Sequence, residues 1–407
     1  MTLLDDARGL LPELVALRRA IHADPELGLA LPRTQQRVLD ALEPWGLETR
    51  CGTGLSSVAA VVRGAHPGPT VLLRADMDAL PITEDTGLDY AASGERMHAC
   101  GHDLHVAGLV GAAHLLAARR EELHGDVLLM FQPGEEIGDG AKRMIDEGLL
   151  ELTGSTPVAA FGIHVVPGEC GIFSTRVGAL MAGAIEVEVT ITGQGGHASA
   201  PHLTRDPVPA LAELVTALQA FVTRRFDVFD PVVLSVTQVH AGGPARNIIS
   251  DTATLVASVR VLSHESSARV QDELPVLARE IAAAHGCTAE VDTTVLCPPT
   301  VNDASAVAAV RSTLAGLFGE ERVRETPNPV MGSEDFSYVL EQVPGAFLFL
   351  RATPADVDLE TAAPNHSPHV VFDDSVLADQ AAALAAFALD RLREPSPLSG
   401  AVGRSVS

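Results

Sequence analysis

Residues 184–193 read AIEVEVTITG, and the pattern of the chain changes at this stretch. Apolar and polar residues alternate along it, as they do in a strand with one face in solvent. A helix (207–223), two strands (231–240 and 252–262), a second helix (266–284) and a last strand (287–295) are predicted to follow. This order, βαββαβ, is that of a split βαβ sandwich.

The segments on either side of this region have a different pattern. Apolar runs typical of buried strands alternate with helical patterns. The predicted strands are at 57–62, 70–74, 126–133, 158–166 and 346–350. The predicted helices are at 6–21, 34–42, 103–119, 140–147, 304–318, 335–341 and 375–392. This alternation indicates an α/β domain with a mostly parallel sheet. We therefore predict one discontinuous domain (1–181 and 296–394), an inserted domain (182–295) and a disordered tail (395–407).

Length and composition limit the classes of function. A chain of 407 residues favours two domains, and a formal net charge of −25 disfavours nucleic acid and anionic membrane surfaces as partners. The N-terminus lacks the order of a signal peptide, and no apolar run is long enough to cross a bilayer. Five cysteines without a CxxC pair argue against a disulfide framework. We expect a cytoplasmic protein.

Five short polar segments follow, or lie at the ends of, the predicted strands of the larger domain. They read RADMDALP (74–81), HACGHD (98–103), GEE (134–136), GIH (162–164) and NHSPH (365–369). Open α/β sheets place their sites at such strand ends.

Each segment alone has an ordinary explanation, such as a buried cysteine, a solvated acidic turn or a core histidine. Cys100 and His102 are spaced to converge on one ion, before a helix that we expect Asp103 to cap. Glu135 and Glu136 are expected to point in opposed directions, one toward a metal and one toward a substrate. Taken together, the thiolate, imidazole and carboxylate groups suffice for two ions.

Taken in order, the motifs resemble the amidohydrolase branch of the aminoacylase and carboxypeptidase G type of metallopeptidases. The resemblance covers about residues 10–392 and is carried by LRRAIHADPELGLALPRT, LLRADMDALPI, MHACGHDLHVA, MFQPGEE, GIHV, GQGGHASAPH, RNIIS, SVR, GSEDFS and NHSPHVVFD. Hippurate hydrolases, N-acyl-amino-acid and N-acetyl-diaminopimelate deacylases, and plant indole-acetyl-amino-acid hydrolases belong to this branch.

The resemblance implies a centre with two divalent ions, which are Zn, Mn, Co or Ni. Its implied ligands are Cys100, His102, Glu136, His164 and His366. Glu135 matches the family's general base, and the carboxylate of Asp78 matches a group that orients a ligating histidine. Asp76 stands where related branches have a metal-binding histidine and is left out of the ligand set.

The inserted domain resembles the family's lid and dimerisation domain, which implies a homodimer. Within it, His197 and Asn247 match residues that polarise the scissile carbonyl, with His197 reaching the site of the partner subunit. Arg260 matches a position associated with the substrate carboxylate. The family usually has Arg-Thr-Phe there, whereas this chain has Arg260, Val261 and Leu262.

The function implied is hydrolysis of N-acyl amino acids, with N-acetyl, N-benzoyl or similar acyl groups, to a carboxylic acid and a free amino acid. Three alternatives stay open: a metallo-carboxypeptidase or dipeptidase, a non-catalytic ligand-binding relative, and a thiol hydrolase with Cys100 as nucleophile and His102 as base. The thiol hydrolase alternative assigns no role to Glu136, His164 and His366. We expect structural roles for His22 and His105.

Overall fold

The computed structural model describes residues 2–393, so the tail predicted at 395–407 lies outside the described residues. The chain forms two compact units. The first comprises the residues up to Leu180, Val301–Asn328 and the chain from Asp335 onward. The second comprises Met181–Thr300 and Pro329–Glu334.

The first unit combines helices with one large sheet. Its helices are α1 (Leu3–His22), α2 (Pro32–Leu42), α3 (His102–Ala117), α4 (Gly140–Asp146), α7 (Ala304–Phe318), α8 (Ser337–Leu340) and α9 (Val376–Arg393). Its sheet strands are β1 (Glu48–Cys51), β2 (Val58–Arg63), β3 (His66–Asp76), β4 (His124–Gln132), β5 (Ala159–Glu169), β6 (Phe173–Thr175), β15 (Val323–Glu325) and β16 (Gly345–Thr353). The short strands β7 (Gly178–Met181) and β14 (Thr300–Asn302) lie where the chain passes from one unit to the other.

The sheet has the order β1-β2-β4-β3-β5-β16-β6-β15. Its central strands β4, β3, β5 and β16 are parallel, and antiparallel pairs occur towards both edges. The central strands are buried because they are nearly continuous runs of apolar residues, as parallel strands covered on both faces require. The predicted α/β class with a mostly parallel sheet is confirmed.

Small residues allow α3, α9 and α1 to pack closely. A Cβ atom built on Gly111 would lie 2.8 Å from the Cβ of Ala381 and 2.8 Å from a methyl group of Leu14. All of α3 except its last residue is buried. The close approach therefore fixes the position of the helix whose first turn contains His102.

The second unit has the predicted βαββαβ order. Its main elements are β8 (Gly183–Thr192), α5 (Pro207–Arg225), β10 (Val233–Ala241), β12 (Thr252–Val261), α6 (His264–Ala284) and β13 (Thr288–Cys297), with a small pair formed by β9 (Gly196–His197) and β11 (Ile248–Ile249). The four long strands form an antiparallel sheet of order β10-β12-β8-β13. The apolar residues of the alternating stretch, such as Val187 and Val189, lie in the core of this unit.

Within residues 2–393, no helix is both long and apolar enough to cross a membrane. The cytoplasmic location expected from the sequence stays a prediction.

Replacing Gly111 with alanine tests the close packing of α3. A glycine-to-alanine change in a helix gains about 1 kcal/mol from helix propensity, but overpacking a core costs about 1–3 kcal/mol. We expect Gly111→Ala to lower the free energy of unfolding by about 1 kcal/mol in urea titrations followed by circular dichroism. The control is Gly9→Ala in α1, where a Cβ atom meets nothing within 4 Å. This change should raise the free energy of unfolding. Equal stabilisation by both changes would contradict the packing constraint.

Candidate metal centre

The site lies at the carboxyl ends of β3 and β4 and beside the middle of β5. The pairing between β3 and β5 ends at Arg74 and Gly162, and β5 continues beyond this pair without hydrogen bonds to β3. His164 lies two residues beyond the last pair and within β5, which extends to Glu169 rather than ending near the histidine. Cys100 and His102, at the start of α3, approach His164 beyond the point where the two strands separate.

The five predicted ligands converge. The sulfur of Cys100 lies 3.3 Å from Nε2 of His164 and 3.3 Å from Nε2 of His366. Oε1 of Glu136 lies 3.8 Å from Nε2 of His102 and 3.6 Å from Nε2 of His366. They form two groups, Cys100 with His102 and His164 and Cys100 with Glu136 and His366, and the atoms of each lie within 4.8 Å of one another. Cys100 is common to both groups.

Two buried atoms indicate that a cation belongs here. Among residues 2–393, Nε2 of His102 and Oε1 of Glu136 have no hydrogen-bond partner. A buried polar atom without a hydrogen bond is costly. These two lie 3.8 Å apart, and an oxygen of Asp76 lies 3.4 Å from the same His102 nitrogen. A divalent cation between them would satisfy both, and thiolate, imidazole and carboxylate are ligands that Zn²⁺ and its neighbours in the transition series accept. The residues present therefore fit the implied ions.

The ring nitrogens that face away from the centre are fixed by hydrogen bonds. Nδ1 of His102 donates to the carbonyl oxygen of Asp78 at 2.8 Å, and Nδ1 of His164 donates to the carbonyl oxygen of Val165 at 2.8 Å. Both bonds favour the tautomer whose Nε2 lone pair is directed at the centre.

Asp78 differs from its predicted role in detail. Its carbonyl oxygen, not its carboxylate, makes the close bond to His102; the carboxylate lies 3.6 Å from the same ring nitrogen. The two carboxylate oxygens instead accept from the backbone N–H groups of Glu135 at 3.0 Å and Glu136 at 3.2 Å. One buried residue therefore positions both the imidazole of a predicted ligand and the glutamate pair.

The prediction that Glu135 and Glu136 point in opposed directions is wrong. They lie in a turn, closed by a bond from Gly138 N–H to the carbonyl of Glu135, and not in an extension of β4. A turn removes the alternation of a strand. Oε2 of Glu135 lies 4.0 Å from Nε2 of His102, so both carboxylates face the same imidazole.

The expected cap at Asp103 is also wrong. Gly101, with φ of +82°, precedes α3, and no side chain caps the helix. Asp103 is buried and pairs instead with Arg18 at 2.6 Å and with Nδ1 of His22 at 2.8 Å. A charged tertiary partner has outweighed the local preference of aspartate for a helix end.

The loop of His366 is held in an unusual backbone conformation. His366 has φ of +69°, in the left-handed region that costs a non-glycine residue about 1–3 kcal/mol. Its N–H donates to the carbonyl of Ala99 at 2.9 Å, and the amide of Asn365 donates to the carbonyls of Cys100 and Val165. These bonds hold the imidazole against Cys100.

A buried polar chain behind the ligands was not predicted from the sequence. Arg74 donates to Asp76 at 2.7 Å, and Asp76 accepts from Nδ1 of His105 at 2.5 Å. Nε2 of His105 accepts the N–H of Val165, the neighbour of His164. His105 thus positions the strand that contains the predicted ligand His164. The sequence contained one signal of this buried chain, because the charged residues Arg74 and Asp76 lie within the apolar run LLRAD.

Burial favours the protonated forms of two ligands. It raises the pKa of the Cys100 thiol to about 11 and the pKa of Glu136 to about 7. Burial alone would lower the pKa of His102, but the carboxylate of Asp76 raises it above its usual range. A cation must therefore displace protons from the centre.

The predicted residues of the second unit fall into two places. The carbonyl of Asn247 accepts from the N–H that follows His197 at 2.9 Å, so these two residues are neighbours, and both are exposed. Asp251 lies at the same end of β12, bonded to Gly193 and Gly195. Arg260 lies nine residues after Asp251 along β12. At the rise per residue of a β-strand, the backbones of these two residues are about 30 Å apart.

A parallel α/β sheet with thiol, imidazole and carboxylate ligands at its carboxyl edge defines the chain as an α/β metallohydrolase. The pattern of peptidase family M20/M25/M40 matches residues 72–390. The chain belongs to this family, as the motifs in its sequence imply.

Similar proteins cover nearly the whole chain. Hippurate hydrolase of Campylobacter jejuni is 36% identical over 395 residues, which are 97% of this chain and 100% of that protein. Thermostable carboxypeptidase 1 of Saccharolobus solfataricus is also 36% identical, over 92% of this chain and 94% of the relative. A crystal structure of the Bacillus subtilis YXEP protein, described as a dinuclear metal binding peptidase, has a TM-score of 0.81 and 30% identity; it covers 95% of this chain and 99% of that chain.

Metal binding to the apo-protein should release protons. The pKa of Cys100 is about 11 and that of Glu136 is about 7, so at pH 7 the thiol holds a proton and the carboxyl group is partly protonated. We expect release of about one to two protons and weaker binding as the pH falls. The measurement is calorimetry in buffers of different ionisation enthalpy. Cys100→Ala should release about one proton fewer. Cys287→Ala, a buried cysteine of the second unit, is the control. Binding enthalpies that do not depend on the buffer would contradict this.

Proposed function

We propose that this protein hydrolyses the amide bond of N-acyl amino acids with a centre of two divalent cations. The observation that carries the proposal is the convergence of two ligand groups on Cys100, with Oε2 of Glu135 4.0 Å from Nε2 of His102. The donors suit Zn²⁺ and also admit Mn²⁺, Co²⁺ or Ni²⁺. When bound, two divalent ions supply Lewis acidity: they lower the pKa of a water toward about 7 and offset charge on the carbonyl oxygen.

Glu135 acts as the general base in this proposal. Its side chain is 10% exposed and its backbone is held by Asp78, so the carboxylate faces the centre in a fixed orientation. It takes a proton from the water that attacks the acyl carbonyl. It then delivers this proton to the leaving amine, which departs as the free amino acid.

His197 donates a hydrogen bond to the carbonyl oxygen in this proposal. Its Nδ1 accepts the backbone N–H of Ser199 at 3.1 Å and lies 2.7 Å from the Ser199 hydroxyl. A backbone N–H can only donate, so in the neutral ring the proton is on Nε2. The exposed edge of the imidazole is thus a donor, as stabilisation of a developing oxyanion requires.

Two alternatives are less well supported. A thiol hydrolase needs a Cys100 thiolate, which burial disfavours at neutral pH unless a cation replaces the proton. A carboxypeptidase or dipeptidase would use the same centre, and the Saccharolobus solfataricus relative has the first of these names. A substrate panel separates peptide from acyl substrates.

The function is tested with N-acetyl and N-benzoyl amino acids and dipeptides, after reconstitution with Zn²⁺, Mn²⁺, Co²⁺ or Ni²⁺. We expect turnover of N-acyl amino acids, and Glu135→Gln should lower kcat by on the order of 10²–10⁴-fold, because proton transfer is lost, with metal content unchanged. Glu121→Gln, an exposed glutamate of the same unit, is the control. A Glu135→Gln enzyme of normal rate, or preference for dipeptides, would refute the assignment.

We further propose a homodimer that pairs through β10. This strand is an edge of the second unit's sheet and reads VLSVTQVHA, without Lys, Asp, Glu or Pro. Val233 is 43% exposed and Val239 is 52% exposed. Edge strands are normally protected by charges, and the opposite edge, β13, has Glu290 and Asp292. An unprotected edge suits pairing with a second copy.

The separation within the second unit supports the same proposal. Arg260 lies about 30 Å from the end of β12 near His197, which exceeds the length of an N-acyl amino acid. One substrate molecule therefore cannot contact both residues of one protomer. If both act, His197 and Asn247 serve one site and Arg260 the other, as two subunits related by a twofold axis allow.

Val239→Lys tests the dimer. A charge on the edge strand should oppose pairing, so we expect a dimer-to-monomer shift in sedimentation and a parallel loss of activity, with the fold retained because the side chain is exposed. Thr294→Lys, on an exposed position of β13, is the matched control and should leave both properties unchanged. A dimeric Val239→Lys variant, or a fully active wild-type monomer, would contradict the proposal.

A further inference from the structure

His22 is buried at the end of α1, between two carboxylates. Its Nδ1 lies 2.8 Å from Oδ2 of Asp103, and its Nε2 lies 3.1 Å from both oxygens of Glu84. A carboxylate can only accept, so both ring nitrogens donate and the ring is an imidazolium. Burial alone would lower the pKa of His22, but Asp103 and Glu84 raise it to about 9. The ring therefore has its charge at neutral pH.

The two carboxylates belong to segments that contain predicted metal ligands. Asp103 directly follows His102 in the first turn of α3. The neighbour of Glu84, Asp85, donates its N–H to the carbonyl of Pro368 at 2.9 Å. The carbonyl of Asp85 also accepts from Nδ1 of His369 at 2.8 Å. The Glu84 segment is thus bonded to the loop that contains His366.

Further bonds hold each carboxylate in place. Arg18 donates to the same oxygen of Asp103 at 2.6 Å and to the hydroxyl of Tyr90 at 2.5 Å. Glu84 accepts from the hydroxyl of Thr86 at 2.5 Å and from the N–H of Ala92 at 2.7 Å. Without His22, Asp103 retains a charged partner, whereas Glu84 loses its imidazolium. Removal of one partner of a buried pair is strongly destabilising at that position.

We propose that His22 is a positioning residue of the metal centre, because it ties the His102 segment to the segment that supports His366. The proposal rests on the metal centre proposed above. Cys100, Glu136 and the two histidines must converge within a few tenths of an ångström to bind tightly, and groups behind metal ligands typically change affinity 10–100-fold when removed. His22 acts through both segments and contacts no ligand atom itself.

The test is a Co²⁺ titration of apo-protein, followed by the thiolate-to-cobalt charge-transfer and visible d–d absorption. We expect His22→Gln to weaken Co²⁺ binding tenfold or more and to alter the spectrum, while circular dichroism stays unchanged. His114→Gln is the matched control. His114 is a buried histidine near the end of α3, and its Nε2 is hydrogen-bonded to the carbonyl oxygen of Ala41. The loss of this bond should lower the melting temperature without changing the Co²⁺ affinity.

Glu84→Gln provides the second variant. It should weaken Co²⁺ binding as His22→Gln does, and the double variant should be no weaker than either single one, because both remove the same link. If His22→Gln does not fold, Glu84→Gln decides the question. A folded variant with wild-type affinity and spectrum, or an effect no larger than that of His114→Gln, overturns the role of His22. Wild-type protein that binds no Co²⁺ overturns the metal centre instead.

Discussion

The geometry of the centre depends on the hydrogen bonds of Asp78. Its carbonyl fixes the tautomer of His102, and its carboxylate holds the backbone of Glu135 and Glu136. Two proposed ligands, His102 and Glu136, and the proposed base therefore share one anchor, which lies two residues beyond the end of β3. Because β3 is a central strand of the sheet, the anchor has the rigidity of the core and not that of a surface loop.

Burial of so many charges behind the site is sustained by pairing. Arg74 lies between Asp76 and Asp335, and Gln132 donates to Asp335, so the acids of this region have donors within the core. Arg18 and His22 do the same for Asp103. An unpaired buried charge would be expensive, whereas a complete network also fixes the positions of its members. Preorganisation of the ligands is thus a by-product of charge neutralisation.

Local patterns in the sequence were sufficient for most of the elements, and the family resemblance implied the ligand set, but neither predicted the long-range pairing. The alternation at 184–193 predicted β8 and the order of the second unit, because half-buried strands expose every second residue. Strand β1 is exposed throughout and β15 has three residues, so neither has an apolar signature. Asp103 was predicted to cap α3 because aspartate is common at helix starts. The prediction failed because Asp103 pairs with Arg18, which lies 85 positions away in the sequence. No local rule reports such a partner.

The exposure of His366 distinguishes the two positions of the proposed metal centre. Its side chain is 54% exposed, whereas Cys100 and His164 are each 8% exposed and His102 is fully buried. In the proposed centre, an ion beside His366 would be open to exchange with bulk water, whereas an ion beside His102 and His164 would be shielded by the surrounding strands. The outer ion would then be lost first on dilution or chelation, and the inner ion last.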